Sequence, residues 1–453
     1  MSATARLLDF ASAPHVLPDH VRADTQRLLG DTLAVGAAGA TAPGADAILA
    51  AARAMGAGDE ARLIGTDERL SAPSAAFVNG YRVHCLEWDA VHEPAVVHAL
   101  STVVAATGAA IDRKGGCEAD EALTALAVGV DIASGLGLAA TSGLSFFRPA
   151  TAGVIGAACA VARIDAAPMA DTLGLAYSSA AGTMQAHVEG LATLPFQIAN
   201  AARAAVTASD LAREGFPGPK DPLEGQFGYY SLFDEGDLST YTKRLGEVWR
   251  ISEVSVKPFP SGRASHAALG ALSDLHRHSR ESGNPERAKR SANTPWVPAF
   301  AGMTMSEIVR IELACPPLIR RLVARPYKPD MTPAYARLCL PFLAALMLTD
   351  GRIDPRRFTP DGIADPALAA FADRVSLVPD GNEDPNALFP QKLKVSLTSG
   401  ETQMHTIAAT LGSPDNPLTE AQAKAKFDLA RELAPPGHDP RLFTDPLGFF
   451  TRP

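Results

Sequence analysis

The sequence predicts a mainly α-helical protein, with a large all-helical domain and a smaller α+β domain. Three observations carry that expectation. Up to about Leu272 the chain is alanine-rich and repeats its apolar residues at helical spacing. Residues 307–407 instead alternate apolar and polar residues in short runs. The tail, 408–453, returns to helical texture around Thr419–Leu433. The expected division is therefore 1–272 with 408–453 as the all-α domain, 307–407 as the α+β domain, and 273–306 as an insertion between them.

Within the first part, Val21–Gly39 begins after Pro18-Asp19-His20 and keeps Arg22, Asp24, Arg27 and Asp31 off its apolar stripe. Ala75–Trp88, Leu100–Ile111, Glu121–Leu138, Ala152–Arg163, Met169–Glu189 and Ile198–Glu214 continue the helical period. Gly and Ala recur inside them, as in helices that approach closely and are buried on most sides. In the second part Ile308–Leu313, Arg374–Val378, Lys392–Thr398 and Thr402–Ile407 read as strands. The last two form a hairpin across Ser399-Gly400-Glu401. Pro333–Asp350 and Pro366–Arg374 read as helices between them. The stretch His276–Thr304 has neither period: it is basic, rich in Pro, Ser and Asn, and resembles a translated repeat element inserted at a surface loop.

Composition narrows the function. With 453 residues and 47% apolar content the chain can bury a large core. Its net charge of −9, without a run of Lys or Arg longer than a pair, excludes nucleic acid and anionic membrane as expected partners. Five scattered cysteines with no CxxC pair predict no disulfide framework, zinc site or iron–sulfur cluster. No metal and no cofactor are expected. The N-terminal stretch lacks a basic region followed by an apolar one, and charges such as Asp131 interrupt the apolar runs. A cytoplasmic protein without a membrane span is the expectation.

Polar residues gather in few places. His84–His98, HCLEWDAVHEPAVVH, holds His84, Glu87, Asp89, His92, Glu93 and His98 between apolar helices. Carboxylates beside imidazoles supply tunable acid–base pairs, with a metal site or a solvated loop as the alternatives. Lys257–His266, KPFPSGRASH, brings Lys257, Arg263 and His266 near a helix start, where free backbone N–H groups also attract anions. Its alternative is a solvent-facing loop. Arg148 in FFRPATAG stands in an apolar context where an unpaired charge is costly, and a solvent-facing helix start competes evenly. His187 and Glu189 read as a solvated helix end. GLGLAATSG follows no strand, and no nucleophile elbow, P-loop or HExxH occurs.

These segments together resemble the MmgE/PrpD family, whose members include 2-methylcitrate dehydratases, cis-aconitate decarboxylases and iminodisuccinate epimerases. The resemblance runs through DTLAVGAAGA, NGYRVHCLEWDAVHEPAVVH, GTMQAHVEG, REGFPGPKDPLEG, KPFPSGRASH and RPYKPDMTPAYARLCLPF. It implies a homodimer, no metal and no organic cofactor. Glu87-Trp88-Asp89-Ala90 stands at the family's DFDD-type motif, His98 at its following histidine and Lys257 at the lysine of its KP motif. Arg148-Pro149 replaces a His-Pro pair, Thr193–Gln197 replaces TKPLH, and Phe342 stands where the decarboxylase branch has tyrosine. An arginine stays protonated, so Arg148 can bind a carboxylate but not shuttle a proton.

The resulting expectation is a metal-independent lyase acting on a small di- or tricarboxylate by α-proton chemistry. An isomerase or epimerase, or a homologue that binds carboxylates without turnover, is the alternative. His98, tuned by Glu87 and Asp89, would move the proton, with Lys257 and His266 as further catalytic groups. Arg148, Arg263, His92 and Gln197 would bind substrate. Lys257 and His98 are expected to share one pocket.

Overall fold

The computed structural model describes residues 2–282, 305–384 and 386–453. They form two compact units. One comprises Met1–Val188, Ala192–Val256 and Leu418–Pro453, the other Glu189–Leu191 and Lys257–Pro417. The boundaries differ from the sequence expectation: KPFPSGRASH opens the second unit rather than closing the first, and the chain returns at Leu418 rather than 408.

The first unit is a stack of helices, of which Asp19–Ala38, Ala72–His84, Ala99–Lys114, Ala119–Leu138, Gly153–Asp165 and Thr193–Arg213 form the centre. The small residues explain how closely they pack. A Cβ on Gly156 would overlap the Gly129 carbonyl of the neighbouring helix, so larger residues would push Ala119–Leu138 and Gly153–Asp165 apart. Ala119–Leu138 is long and apolar enough to cross a membrane, but it lies buried within the unit. Its central Asp131 accepts from the Tyr241 hydroxyl at 2.7 Å and the Arg250 N–H at 2.8 Å.

The expectation of a purely helical unit needs one correction. A two-stranded antiparallel ribbon, β1 (Ala61–Arg62) with β2 (Arg69–Leu70), sits beside the helices. Two helices are also shorter than their apolar runs suggested. Ala72–His84 stops before Trp88 because Glu87 takes φ 54°. Met169–Glu189 is divided into Met169–Ser178 and Gln185–Glu189, with Gly182 at φ 123° between them.

The second unit carries a mixed four-stranded sheet in the order β4-β3-β5-β6. Its strands are β3 (Ile308–Cys315), β4 (Val375–Pro379), β5 (Gln391–Leu397) and β6 (Thr402–Ile407). β3 runs parallel to β4 and antiparallel to β5. Ser396 pairs with Thr402, which closes the hairpin at the turn expected from Gly400. Alternation does its work here: Ile311, Leu313, Cys315, Leu393 and Val395 share a core with the helices His266–Ser282 and Leu340–Asp350. The expected Pro333–Asp350 helix is broken into Pro333–Ala336 and Leu340–Asp350. Pro341 at the start of the second piece explains the interruption.

The His266–Ser282 helix runs into the stretch expected to be structureless, and His276 Nδ1 lies 2.8 Å from the Leu348 carbonyl. The rest of the expected insertion, 283–304, lies outside the described residues.

Candidate active site

The first cluster is built at the junction of two helices. Ala72–His84 ends with His84 in its last turn, and the Glu87 N–H returns to the His84 carbonyl at 2.9 Å. Glu87 then takes a left-handed conformation that redirects the chain toward Trp88 and Asp89. Val91 then exchanges backbone hydrogen bonds with Ser255, and His92 does so with Val97 around a turn at Glu93–Val96. Val96 also has φ 54°, a conformation that β-branched residues rarely adopt. His98 follows as the residue preceding the Ala99–Lys114 helix. Glu87 and Val96 therefore flank the polar cluster with strained backbone, which persists only where the surroundings hold it.

At the centre stands Asp89, fully buried. Its Oδ2 lies 2.8 Å from His84 Nδ1 and 3.1 Å from His98 Nδ1, and accepts from the Ser101 hydroxyl. Burial pushes the Asp89 carboxyl up, but the two imidazoles outweigh it by charge and hydrogen bonding and hold it well below the usual carboxylate range. Ser101 and His98 place this anion at the N-terminal turn of a long helix, where the dipole also favours it. The hydrogen bond to Asp89 favours a proton on His84 Nδ1, and the carboxylate 3.1 Å from His98 Nδ1 favours one there too, which leaves Nε2 of each ring to take or give a proton. His84 Nε2 lies 3.6 Å from Glu87 Oε1. The two rings meet edge to face, and Phe147 packs 5.8 Å from His84.

Glu87, Asp89 and His98 are thus brought together as expected, with His84 and Ser101 beside them. His84 belonged to the cluster in sequence, but its bond to Asp89 was not visible there. Ser101 gave no signal, since a serine in the first turn of a helix is ordinarily a local cap. His84, Asp89 and His98 each present a ligand atom, all within 4.8 Å of one another, so the set also has the composition of a metal site. The Asp89 contacts to both Nδ1 atoms are at hydrogen-bond length.

The other expected residues are placed differently. His92 Nε2 lies 3.0 Å from Glu253 Oε2, and its Nδ1 accepts from the Ala95 N–H at 3.2 Å. The His92 hydrogen bond, then Arg250, outweigh partial burial and hold the Glu253 carboxyl down at about 2. Gln197 clamps the Thr183 backbone, accepting its N–H at 2.6 Å and donating to its carbonyl at 3.2 Å. Arg148 is buried against Asp234: Nε donates at 3.1 Å to both carboxylate oxygens, and one terminal nitrogen donates at 2.8 Å. The same nitrogen reaches the Ser142 carbonyl at 2.7 Å. The carboxylate that answers Arg148 is therefore internal.

Lys257, Arg263 and His266 belong to the second unit. Lys257 is fully buried. An Arg263 terminal nitrogen donates to the Leu411 carbonyl at 2.8 Å and lies 3.4 Å from His266 Nδ1. His266 Nε2 stands 3.1 Å from the Ser261 hydroxyl. Phe342, at the family's tyrosine position, is a core residue stacked on Tyr327 with ring centroids 6.2 Å apart.

Family models agree with this picture over most of the chain. The MmgE/PrpD N-terminal domain matches residues 9–241, and the MmgE/PrpD C-terminal domain matches 259–438. The chain belongs to the MmgE/PrpD family. Among its relatives is the cis-aconitate decarboxylase of Homo sapiens, 25% identical over 437 residues, covering 92% of this chain and 86% of the relative. The cis-aconitate decarboxylase of Mus musculus is 26% identical over 377 residues, covering 80% and 72% respectively. These distant relatives support an enzyme of the lyase type from this MmgE/PrpD chain.

Proposed function

We propose that this MmgE/PrpD protein is a metal-independent lyase acting on a small di- or tricarboxylate through proton transfer at a carbon next to a carboxylate. The observation that carries the reading is the pair His84 and His98 on one buried Asp89 oxygen. In elimination His98, beside the Asp89 carboxylate, takes the α-proton on Nε2. The electron pair moves onto the neighbouring carboxylate as an enediolate. A cationic counter-charge at the carboxylate lowers the cost of this dianionic species. Collapse of the enediolate then expels a β-hydroxyl that is protonated as it leaves. In decarboxylation no proton is removed first: protonated His98 delivers a proton to an alkene carbon next to a carboxylate, the C–CO2 bond breaks, and its electron pair becomes the shifted double bond as carbon dioxide leaves. The two relatives named as cis-aconitate decarboxylases favour the second course.

A second reading, an isomerase or epimerase, rests on the same two imidazoles. Two acid–base groups are what removal and return of one proton on opposite faces requires. As in the family resemblance, the active species would be a homodimer.

The deciding experiment incubates the enzyme with di- and tricarboxylates in deuterated water and follows them by NMR. Decarboxylation or elimination with deuterium incorporation supports the lyase, and exchange with inversion but no net loss supports the isomerase. Binding without any exchange would contradict both.

A further inference from the structure

The structure assigns Lys426, in the C-terminal helix, as a positioning residue for the Asp89 site; the catalytic part of this inference rests on the proton-transfer reading above. The helix Glu420–Leu433 starts at a capping box, in which the Gln422 N–H donates to the Thr419 hydroxyl and the Thr419 N–H donates to Gln422. One turn further on, Lys426 turns inward and is buried. Its Nζ lies 2.5 Å from Asp31 Oδ1, donates to the Trp88 carbonyl at 3.3 Å, and stands 5.6 Å from the centre of the Trp88 ring. Trp88 is itself fully buried and sits between the left-handed Glu87 and Asp89.

Three segments distant in sequence therefore meet on one ammonium, and the loop segment is the one that carries Asp89. Burying a lysine costs free energy that a methionine of similar shape avoids, so packing alone does not account for it. What the ammonium adds is a fixed direction for the Trp88 carbonyl, hence for the peptide that joins Trp88 to Asp89. The Asp89 carboxylate must hold two imidazole nitrogens and a serine hydroxyl on one oxygen. A small rotation of that peptide misplaces all three. The strained Glu87 beside it gives the loop a reason to relax if the clamp is removed. Other buried ion pairs, such as Arg62 with Asp112, join elements away from this loop.

The test uses the full-length protein and two readouts. Lys426→Met leaves Asp31 buried without its partner, so the double variant Asp31→Asn/Lys426→Met, which removes both charges, serves beside it. Lys424→Met, on the exposed face of the same helix, is the control. The first readout is the downfield proton spectrum of histidine-labelled protein, where the Nδ1–H groups held by Asp89 resonate. These signals should shift or broaden in both Lys426 variants and stay in place in the control. The second readout is α-proton exchange, where kcat should fall at least about tenfold with KM changed less than about twofold, as for a misplaced base. A folded double variant with unmoved histidine signals and unchanged kcat would overturn the proposal. If the wild type exchanges none of the acids, the proton-transfer reading fails, and the histidine signals alone decide whether Lys426 positions the Asp89 site.

Discussion

The imidazoles of His84 and His98 meet edge to face with 5.0 Å between ring centroids, and both Nδ1 atoms lie within 3.1 Å of a single Asp89 oxygen. One carboxylate oxygen therefore orients both rings, and whatever displaces it displaces both.

That coupling yields the first prediction. Asp89→Asn should lower kcat by roughly 10³-fold or more while the protein stays folded, because it loses the charge and the tautomer control together. Steady-state kinetics check this, and a variant with near wild-type kcat would exclude Asp89 from the chemistry.

Arg148 and Asp234 make a different kind of pair. Both are buried, and they meet through the guanidinium fork with Ser142 and Tyr229 around the carboxylate. Arg148→Met should destabilise the protein by about 3–5 kcal/mol, since Asp234 is left buried without its counter-charge. Denaturant unfolding measures the loss. KM for carboxylate substrates should change little in the folded fraction; a large rise in KM with unchanged stability would return Arg148 to substrate binding.

Asp131 provides a pH test of stability. Burial pushes its carboxyl up to about 6, against the lowering effect of the Arg250 N–H and Tyr241 hydroxyl. The folded value is above the unfolded one, so this group's contribution is fully present below about pH 4 and is lost as pH rises through 6. Relative to wild type, Asp131→Asn should therefore gain roughly 2.4 kcal/mol between pH 4 and 7. Unfolding curves at both pH values would show it. A constant difference between the two proteins would contradict it.

The residues 283–304 are basic, aperiodic and rich in Pro and Ala. Replacing them with a short flexible linker should leave the helical signal and melting temperature within a few degrees of wild type. The deletion starts after Ser282, because His276 belongs to the second unit through Leu348. Loss of solubility or of most helical signal would show that the segment is structural.

The sequence made much of this legible, and for identifiable reasons. The strands and the Gly400 hairpin followed from alternation, and the helices followed from their period. The polar cluster at 84–98 stood out because so many ionisable groups lay between apolar flanks. Other features depend on contacts between distant positions, which no local pattern encodes. Asp234 is an ordinary acid in sequence, yet it decides what Arg148 does. Lys426 looks like a surface residue of an amphipathic helix until Asp31 and Trp88 are found beside it. The early end of Ala72–His84 was hidden too, because Glu87 is no usual left-handed residue.

The central claim is that His98, oriented by Asp89, moves a proton at the carbon next to a carboxylate. The most direct measurement compares wild type with His98→Asn on cis-aconitate and related acids in deuterated water, with binding measured in parallel by calorimetry. The predicted result is deuterium at that carbon with wild type, and a loss of at least about 10²-fold in the variant with binding retained. Deuterium incorporation by His98→Asn at the wild-type rate would contradict the account.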